Sequence, residues 1–148
     1  HNFSNEQPIL LVSEHAVAAL NHVLVEQGQR QVGSRHFRPN IVVKIPTDPE
    51  YESKQPIRYI EDGWKRVLLH STQTATSKDI PFDVVGDCPR CTMVDFAPST
   101  GAKNGETLHT LAKHRRKNGR IVFGIFLKAS TTIGGQCWIV AGDSLKCT

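Results

Sequence analysis

Short apolar runs, separated by polar segments that contain proline or glycine, follow one another along the chain. Runs of this kind, rich in β-branched and aromatic residues and bounded by turn residues, are typical of strands. They lie at residues 9–12, 41–45, 65–70, 82–96, 121–127, 137–141 and 144–147. Within residues 82–96, the pattern predicts strands at 82–85 and 92–96 that meet at a corner. The chain is therefore predicted to contain about seven strands, with a bend or bulge at Gly124.

One helix is predicted early in the sequence. Val17, Leu20 and Leu24 recur at the spacing of a helix face. Ser13 before them is a favourable N-cap, and Gly28 after them is a favourable terminator. This helix is expected to pack on a sheet and to have no further role.

A second helix is predicted around Leu108 and Leu111, with Asn118-Gly119 as its C-terminal stop. The two helices do not alternate regularly with the strands, which argues against a parallel βαβ sheet. Many short, bent strands favour a mainly β fold, in which a barrel-like mixed sheet carries two or three peripheral helices. No repeat or linker divides the sequence, so residues 1–148 are predicted to form a single domain.

Composition narrows the classes of partner. The 148 residues carry a net charge of +4, which favours an anionic partner, and the cations are densest at residues 113–120. Aromatic residues are few and do not alternate with the basic ones, so no nucleic-acid partner is expected. No apolar run approaches the roughly 20 residues of a membrane span, and no secretory signal is visible. A chain of this size does not need disulfides, so its four cysteines are expected to be reduced, in the cytoplasm.

The segment Cys88-Pro89-Arg90-Cys91 is the strongest candidate for chemistry. Three interpretations of its cysteines remain open: a structural zinc site completed by the chain's other two cysteines, a thioredoxin-like redox pair, and two ordinary buried residues. Zinc is disfavoured because the other cysteines do not form a second tight pair. The redox pair is disfavoured because predicted strands flank the motif. Arg90 favours a reactive or ligating thiol, since a neighbouring cation lowers the pKa of a thiol.

The two cysteines of this segment are not expected to be equivalent. Strand alternation places Cys88 with Phe82 and Val84 on an inward face. Cys91 follows the Pro-Arg corner, where its sulfur is expected to reach a pocket mouth beside the Arg90 guanidinium. Cys91 is therefore the candidate thiol for catalysis and for metal ligation.

Three further groups have two interpretations each. Arg38 and Asn40, at the mouth of a predicted strand, could clamp a phosphate or the edge of a heterocycle, or could be a surface cation beside a turn asparagine. Glu61 and Asp62 could act as acid–base groups, but a turn with solvated charges is favoured. For Arg115 a solvated helix face is favoured, with inward pairing as the alternative.

Taken in order, five blocks of sequence resemble the MOSC domain, in the form found at the C-terminal end of eukaryotic molybdenum cofactor sulfurases. They are Phe37-Arg38-Pro39-Asn40-Ile41-Val42-Val43, Glu61-Asp62-Gly63-Trp64, Gly86-Asp87-Cys88-Pro89-Arg90-Cys91-Thr92-Met93-Val94-Asp95 with Thr100-Gly101, residues 108–116, and Gly119-Arg120-Ile121-Val122-Phe123-Gly124. The resemblance covers residues 9–146, and its strength comes from the five blocks occurring in order.

This resemblance implies a β-barrel-like fold that binds the molybdenum cofactor, a molybdopterin dithiolene. In full-length sulfurases, a pyridoxal-phosphate cysteine desulfurase domain takes sulfur from L-cysteine, and the C-terminal domain holds the cofactor that receives it as a terminal ligand of molybdenum. The product serves apo-enzymes of the xanthine dehydrogenase and aldehyde oxidase type. This chain has no counterpart of the desulfurase domain. It is therefore expected to be the cofactor-holding part of a larger sulfurtransferase whose other domain carries the pyridoxal phosphate.

Individual site residues follow from the same resemblance. Cys91 corresponds to the cysteine that ligates molybdenum in the related amidoxime-reducing proteins. Pro89 and Arg90 correspond to backbone or side-chain contacts with the cofactor, and Arg38 and Asn40 to residues that line the same pocket. Whether the Cys91 sulfur ligates the metal or relays sulfur stays open. Two other functions also stay open: a molybdoenzyme of the amidoxime-reductase type and a non-catalytic cofactor carrier.

Overall fold

The structure is a computed structural model that describes residues 9–44, 59–71, 78–103, 105–130 and 139–148. Three expectations from the sequence fall partly outside these residues. They are the end of the predicted strand at 41–45, the strand at 137–141 and the cysteine at position 137. In the predicted strand at 137–141, the described residues 139–141 are not strand.

Seven strands and two α-helices form the described part of the chain. The strands are β1 (Ile9–Ser13), β2 (Ile41–Val43), β3 (Arg66–Ser71), β4 (Lys78–Pro89), β5 (Arg116–Lys117), β6 (Arg120–Ala129) and β7 (Ser144–Cys147). The α-helices are α1 (Glu14–Glu26) and α2 (Thr107–His114), and three short 3₁₀ helices cover Ser34–Phe37, Ile60–Gly63 and Thr92–Asp95. The predicted mainly β composition is confirmed.

The strands form one mixed sheet in the order β2-β1-β6-β4-β3-β7, with β5 paired to β6. β1 and β2 run parallel, and every other pair is antiparallel. The helix between β1 and β2 is the crossover that a parallel pair requires, so the chain contains one βαβ unit beside its antiparallel strands. The sheet curls into a nearly closed barrel, which confirms the predicted barrel-like mixed architecture.

Helix α1 matches its sequence prediction closely. The Ser13 hydroxyl accepts a hydrogen bond from the backbone N–H of Ala16 at 3.0 Å, as an N-cap does. The predicted face is buried at Val17 and Leu20. The helix ends at Glu26, and Gly28 follows with a φ of 67°, which a glycine adopts without strain.

The predicted strand at 92–96 is wrong, because residues Thr92–Asp95 form a single 3₁₀ turn. The Asp95 carboxylate accepts a hydrogen bond from the backbone N–H of Leu108 at 2.7 Å. It therefore caps the first turn of α2, where an acidic group is favoured.

Asn118-Gly119 is the turn of the β5–β6 hairpin, so the prediction that it terminates a helix is also wrong. Both residues have positive φ, 48° and 77°, and they connect the paired residues Lys117 and Arg120. Two positive φ values in a two-residue loop are the property for which Asn-Gly is selected in hairpins. Helix α2 has already ended at His114.

Two apolar clusters hold the sheet and helices together. One lies between the helices and the sheet around Leu20, Phe37 and Phe123, and the rings of Phe37 and Phe123 stack at 4.0 Å between centroids. The other consists of strand residues that face the inside of the curled sheet, including Leu11 and Ile125. The first cluster, through the Phe37–Phe123 contact, holds the 34–37 helix beside β6, which matters for the site described below.

Gly124 is the bend that the sequence predicted in β6. Its φ is 78°, and a Cβ at this position would lie 2.8 Å from the backbone oxygen of Leu11. Both facts require glycine, because other residues rarely adopt this φ and cannot approach a neighbouring strand so closely.

Candidate functional site

The Cys-Pro-Arg-Cys segment lies where β4 ends. Pro89 is the last strand residue, and the backbone N–H of Arg90 still donates to the carbonyl of Ile121 in β6 at 2.7 Å. Cys91 then becomes the N-cap residue of the 92–95 helix. Cys88 is 5% exposed, whereas Cys91 is an exposed free thiol, so the predicted difference in burial between the two cysteines is confirmed. The predicted face is wrong, because Cys88 lies in the apolar cluster under α1, whereas Phe82 and Val84 lie in the other cluster. The register of β4 against β6 shifts between these positions, which breaks the alternation.

The Arg90 side chain points to the interior and contacts Cys88, whereas the sequence analysis expected it beside Cys91. Its Nη1 donates to the Cys88 sulfur at 2.8 Å, and its Nη2 donates to the carbonyl of Phe37 at 2.6 Å. The guanidinium carbon lies 5.3 Å from the centroid of the Phe37 ring, within the range of a cation–π contact. Arg90 therefore joins the end of β4 to the 34–37 helix.

Arg38 and Asn40 follow that helix and have different environments. Arg38 is exposed and has a φ of 52°, in the left-handed region, and its N–H donates to the carbonyl of Arg35. Asn40 is engaged by β1: its Oδ1 accepts from the N–H of Leu10 at 2.8 Å, and its own N–H donates to the Leu10 carbonyl at 2.9 Å. Arg38 is thus the exposed cation of this loop, and Asn40 fixes the loop to the sheet.

Cys91 and Arg38 flank two short helices that contact each other. The 34–37 helix packs against the 92–95 helix, Cys91 directly precedes the second of these, and Arg38 directly follows the first. The contact between Arg90 and the Phe37 carbonyl connects the residues adjacent to each. An exposed cysteine and an exposed arginine therefore flank this pair of helices, and we call this region the rim.

Asp62 and Arg115 form a buried ion pair next to this region, so the favoured interpretation of solvated charges is wrong for both. Arg115 is 6% exposed and binds both carboxylate oxygens of Asp62, at 2.6 and 2.8 Å. Its guanidinium carbon also lies 3.7 Å from the centroid of the Tyr59 ring. Lys117 contacts both Asp62, at 2.9 Å, and Asp87 in β4, at 3.1 Å. The inward alternative for Arg115 is the one observed.

Burial and these contacts shift the pKa values of Tyr59, Asp62 and Glu61. Burial raises the pKa of Tyr59 to about 12, and the positive charge of Arg115 only partly opposes this. Burial also raises the pKa of Asp62, but the hydrogen bonds from Arg115 and Lys117 outweigh it, so the carboxyl titrates below its ordinary range. Burial is the main cause of a raised pKa at Glu61, whose side chain accepts a hydrogen bond from the Ser13 hydroxyl at 2.9 Å.

An open groove of about 380 Å³ borders the same region, and the sequence analysis did not predict it. Its walls are Asp95, Lys103, Glu106, Leu108, His109, Ala112 and Ile121. Met93 and Phe96, at the end of the 92–95 helix, are large apolar residues exposed nearby. No sequence signal indicated the groove, because it forms between α2, the start of β6 and a helix that had been predicted as a strand.

The structure gives no support to the zinc interpretation or to the redox interpretation of Cys88 and Cys91. Within the described ranges, no group of three or more His, Cys, Asp or Glu side chains is placed to hold a metal ion. The cysteine at 137, which a zinc site would need, lies outside those ranges. A redox pair of the thioredoxin kind begins an α-helix, whereas Cys91 begins a single 3₁₀ turn. None of the helices described has the length and hydrophobicity needed to cross a bilayer.

Known proteins match this chain along nearly its whole length. The profile of the family described as MOSC domain matches residues 1–146. Among curated relatives, the molybdenum cofactor sulfurase of Arabidopsis thaliana is 34% identical over 153 residues, covering 98% of this chain and 16% of the relative. The sulfurase of Neosartorya fischeri is 38% identical over 128 residues, covering 82% of this chain and 14% of the relative. This chain therefore spans about a sixth of the length of these relatives, and by its match over nearly all residues it belongs to the MOSC domain family.

Proposed function

We propose that this chain holds the molybdenum cofactor, Mo-molybdopterin, and presents it for sulfuration as part of a longer molybdenum cofactor sulfurase. The observation that carries the proposal is the rim, where the exposed residues Cys91 and Arg38 flank the contacting 34–37 and 92–95 helices. The names of the relatives support the same assignment.

The residues on this rim suit the chemistry of that ligand. A thiolate is a soft donor for a soft metal centre, and Cys91 is the exposed thiol available there. The cofactor also carries a phosphate, for which the fork of an arginine is well matched, and Arg38 is exposed at the same rim. In this proposal Pro89 and Arg90 contribute through their backbone at the end of β4, and Asn40 holds the Arg38 loop on β1.

The role of Cys91 in the proposal is to contact the metal or to accept sulfur. Its thiol is exposed at the start of the 92–95 helix, where a ligand can reach it. Cys88 is buried in the apolar cluster under α1 and suits neither task. Molybdenum in the bound cofactor supplies the centre that takes the additional sulfur ligand.

The wider assembly is also part of the proposal. The chain covers about a sixth of its relatives' length, and we assign the remainder to a pyridoxal-phosphate cysteine desulfurase domain that provides the sulfur. The recipients would be cytoplasmic apo-enzymes of the xanthine dehydrogenase and aldehyde oxidase type. Residues 1–148 would then act as one domain whose own task is to bind and present the cofactor.

Molybdenum and pterin content tests the proposal directly. The chain, its Cys91→Ser variant and its Cys147→Ser variant are purified from cells that make the cofactor. Cys147 is a matched control, because it is also an exposed free thiol but lies on β7. Wild type and Cys147→Ser should retain both molybdenum and pterin, and Cys91→Ser should lose molybdenum. Absence of pterin from the wild-type chain, or equal retention by all three proteins, would refute the assignment.

A further inference from the structure

We propose that Arg90 is a positioning residue, whose side chain braces the Cys91 and Arg38 loops from the interior instead of contacting the ligand. This inference rests on the proposed function for its consequence, because it concerns how the two rim residues are held. Its geometry is independent of any ligand.

The guanidinium is already engaged by protein groups. Nη1 donates to the Cys88 sulfur at 2.8 Å, Nη2 donates to the Phe37 carbonyl at 2.6 Å, and the guanidinium faces the Phe37 ring at 5.3 Å. The Arg90 Nε is buried as well. Two of its five N–H donors are bound to protein groups and the Nε–H is buried, so the guanidinium faces the protein interior.

One end of the brace controls Arg38. The Phe37 carbonyl that accepts from Nη2 belongs to the residue immediately before Arg38, which has a φ of 52°. A non-glycine residue in the left-handed region is held there by its surroundings, because the conformation is intrinsically disfavoured. The bond from Arg90 on one side, and the bonds between Asn40 and Leu10 on the other, supply that constraint.

The other end of the brace controls Cys91. The Arg90 backbone N–H is bound to the Ile121 carbonyl, and its side chain is bound to Cys88 two residues earlier. Cys91 therefore directly follows Arg90, which is held in place through both its backbone and its side chain. Arginine suits the position because its planar fork reaches two acceptors in different directions, whereas a lysine ammonium would keep the charge without that fixed geometry.

The experiment compares Arg90→Lys and Cys88→Ala with the wild-type chain, and uses Arg116→Lys as the matched control. Arg116 is exposed, and its side chain donates to the Gly119 carbonyl in the same hairpin. Hydrogen exchange is measured at the backbone amides of Arg38 and Asn40. The rate of Cys91 alkylation by iodoacetamide is measured as a function of pH. Both readouts are local, so a general loss of stability can be separated from loss of the brace.

Arg90→Lys and Cys88→Ala should each accelerate exchange at the Arg38 amide by at least about tenfold and change the pH profile of Cys91 alkylation. The double variant should add little to Arg90→Lys, because that change already removes the bond to Cys88. Arg116→Lys should leave both readouts at the wild-type level. If Arg90→Lys does not fold, the Cys88→Ala results decide the question alone.

Molybdenum retention separates this inference from the proposed function. If Arg90→Lys loses the cofactor while exchange and alkylation stay at wild-type values, Arg90 contacts the ligand directly and the brace is refuted. If lysine preserves exchange, alkylation and retention, only the charge matters, and the brace is again refuted. If the wild-type chain retains no cofactor but the exchange and alkylation changes occur, the brace stands and the proposed function fails.

Discussion

Replacing Arg115 with methionine should destabilise the fold strongly, because it removes the main partner of a half-buried carboxylate. Arg115 is 6% exposed, binds both oxygens of Asp62 and packs on the Tyr59 ring. Breaking a buried ion pair by removing one partner costs roughly 3–5 kcal/mol. The Asp62 side chain is 20% exposed and keeps Lys117 at 2.9 Å. The free energy of unfolding is therefore expected to fall by the lower end of this range, about 3 kcal/mol.

Urea unfolding at neutral pH measures this loss, with Arg116→Met as the control. Arg116 is the next residue, carries the same charge and is exposed, so its replacement should change the free energy of unfolding by no more than about 0.5 kcal/mol. Comparable slopes of the unfolding curves would indicate that both variants start from a similarly compact state, so that the midpoints can be compared.

The pH dependence provides a second check on the same pair. The pKa of Asp62 is lowered in the fold, because hydrogen bonds from Arg115 and Lys117 outweigh the effect of burial. Stability from this group is therefore present above the unfolded pKa of about 3.9 and is lost as the pH falls through the lower folded value. The difference between wild type and Arg115→Met should narrow in that acidic window. Equal midpoints for the two methionine variants, or a gap that does not narrow in acid, would refute the reasoning.

Three further outcomes are expected. Arg38→Ala should weaken cofactor retention by about ten- to a hundredfold, corresponding to a charge-assisted bond of roughly 1.5–3 kcal/mol, whereas Arg116→Ala should not; equal losses in molybdenum content would indicate only diffuse electrostatics. Burial raises the pKa of Glu61 above 4.5, so wild-type stability should fall as the pH rises from there through the folded pKa. Urea unfolding of Glu61→Gln, recorded across the same pH range, should not show this loss of stability. The same pH dependence of the unfolding free energy in both proteins would contradict the prediction. Gly124→Ala should cost at least about 2 kcal/mol, because it combines a φ of 78° with a backbone contact at 2.8 Å; Gly63→Ala, with open space at its Cβ, is the control, and an equal thermal midpoint for the two would disprove the argument.

The features that could be read from the sequence depend on neighbouring residues. The face of α1 and its Ser13 cap follow from helical spacing and a local hydrogen bond, and both are observed. The left-handed bend at Gly124 is signalled by a glycine within a strand pattern. In each case the interaction that selects the structure spans a few positions, so the pattern of residue types contains it.

The features that the sequence did not reveal depend on contacts between distant positions. Arg115 and Asp62 lie 53 positions apart, as do Arg90 and the Phe37 carbonyl. Their pairing depends on how the 60–63 and 34–37 helices pack against the sheet. A long cation can reach solvent or several acceptors with similar local geometry, and a backbone carbonyl has no signature in the residue type, so no local rule could choose the partner. The 92–95 turn was not predicted for the same reason, because the Asp95 side chain caps a helix that begins 12 residues later. The roles of Arg38, Asn40, Pro89, Arg90 and Cys91 toward a ligand stay predictions. Residue chemistry nominated them, whereas the contact between the 34–37 and 92–95 helices, which Arg38 and Cys91 flank, comes from tertiary packing that pattern alone did not specify.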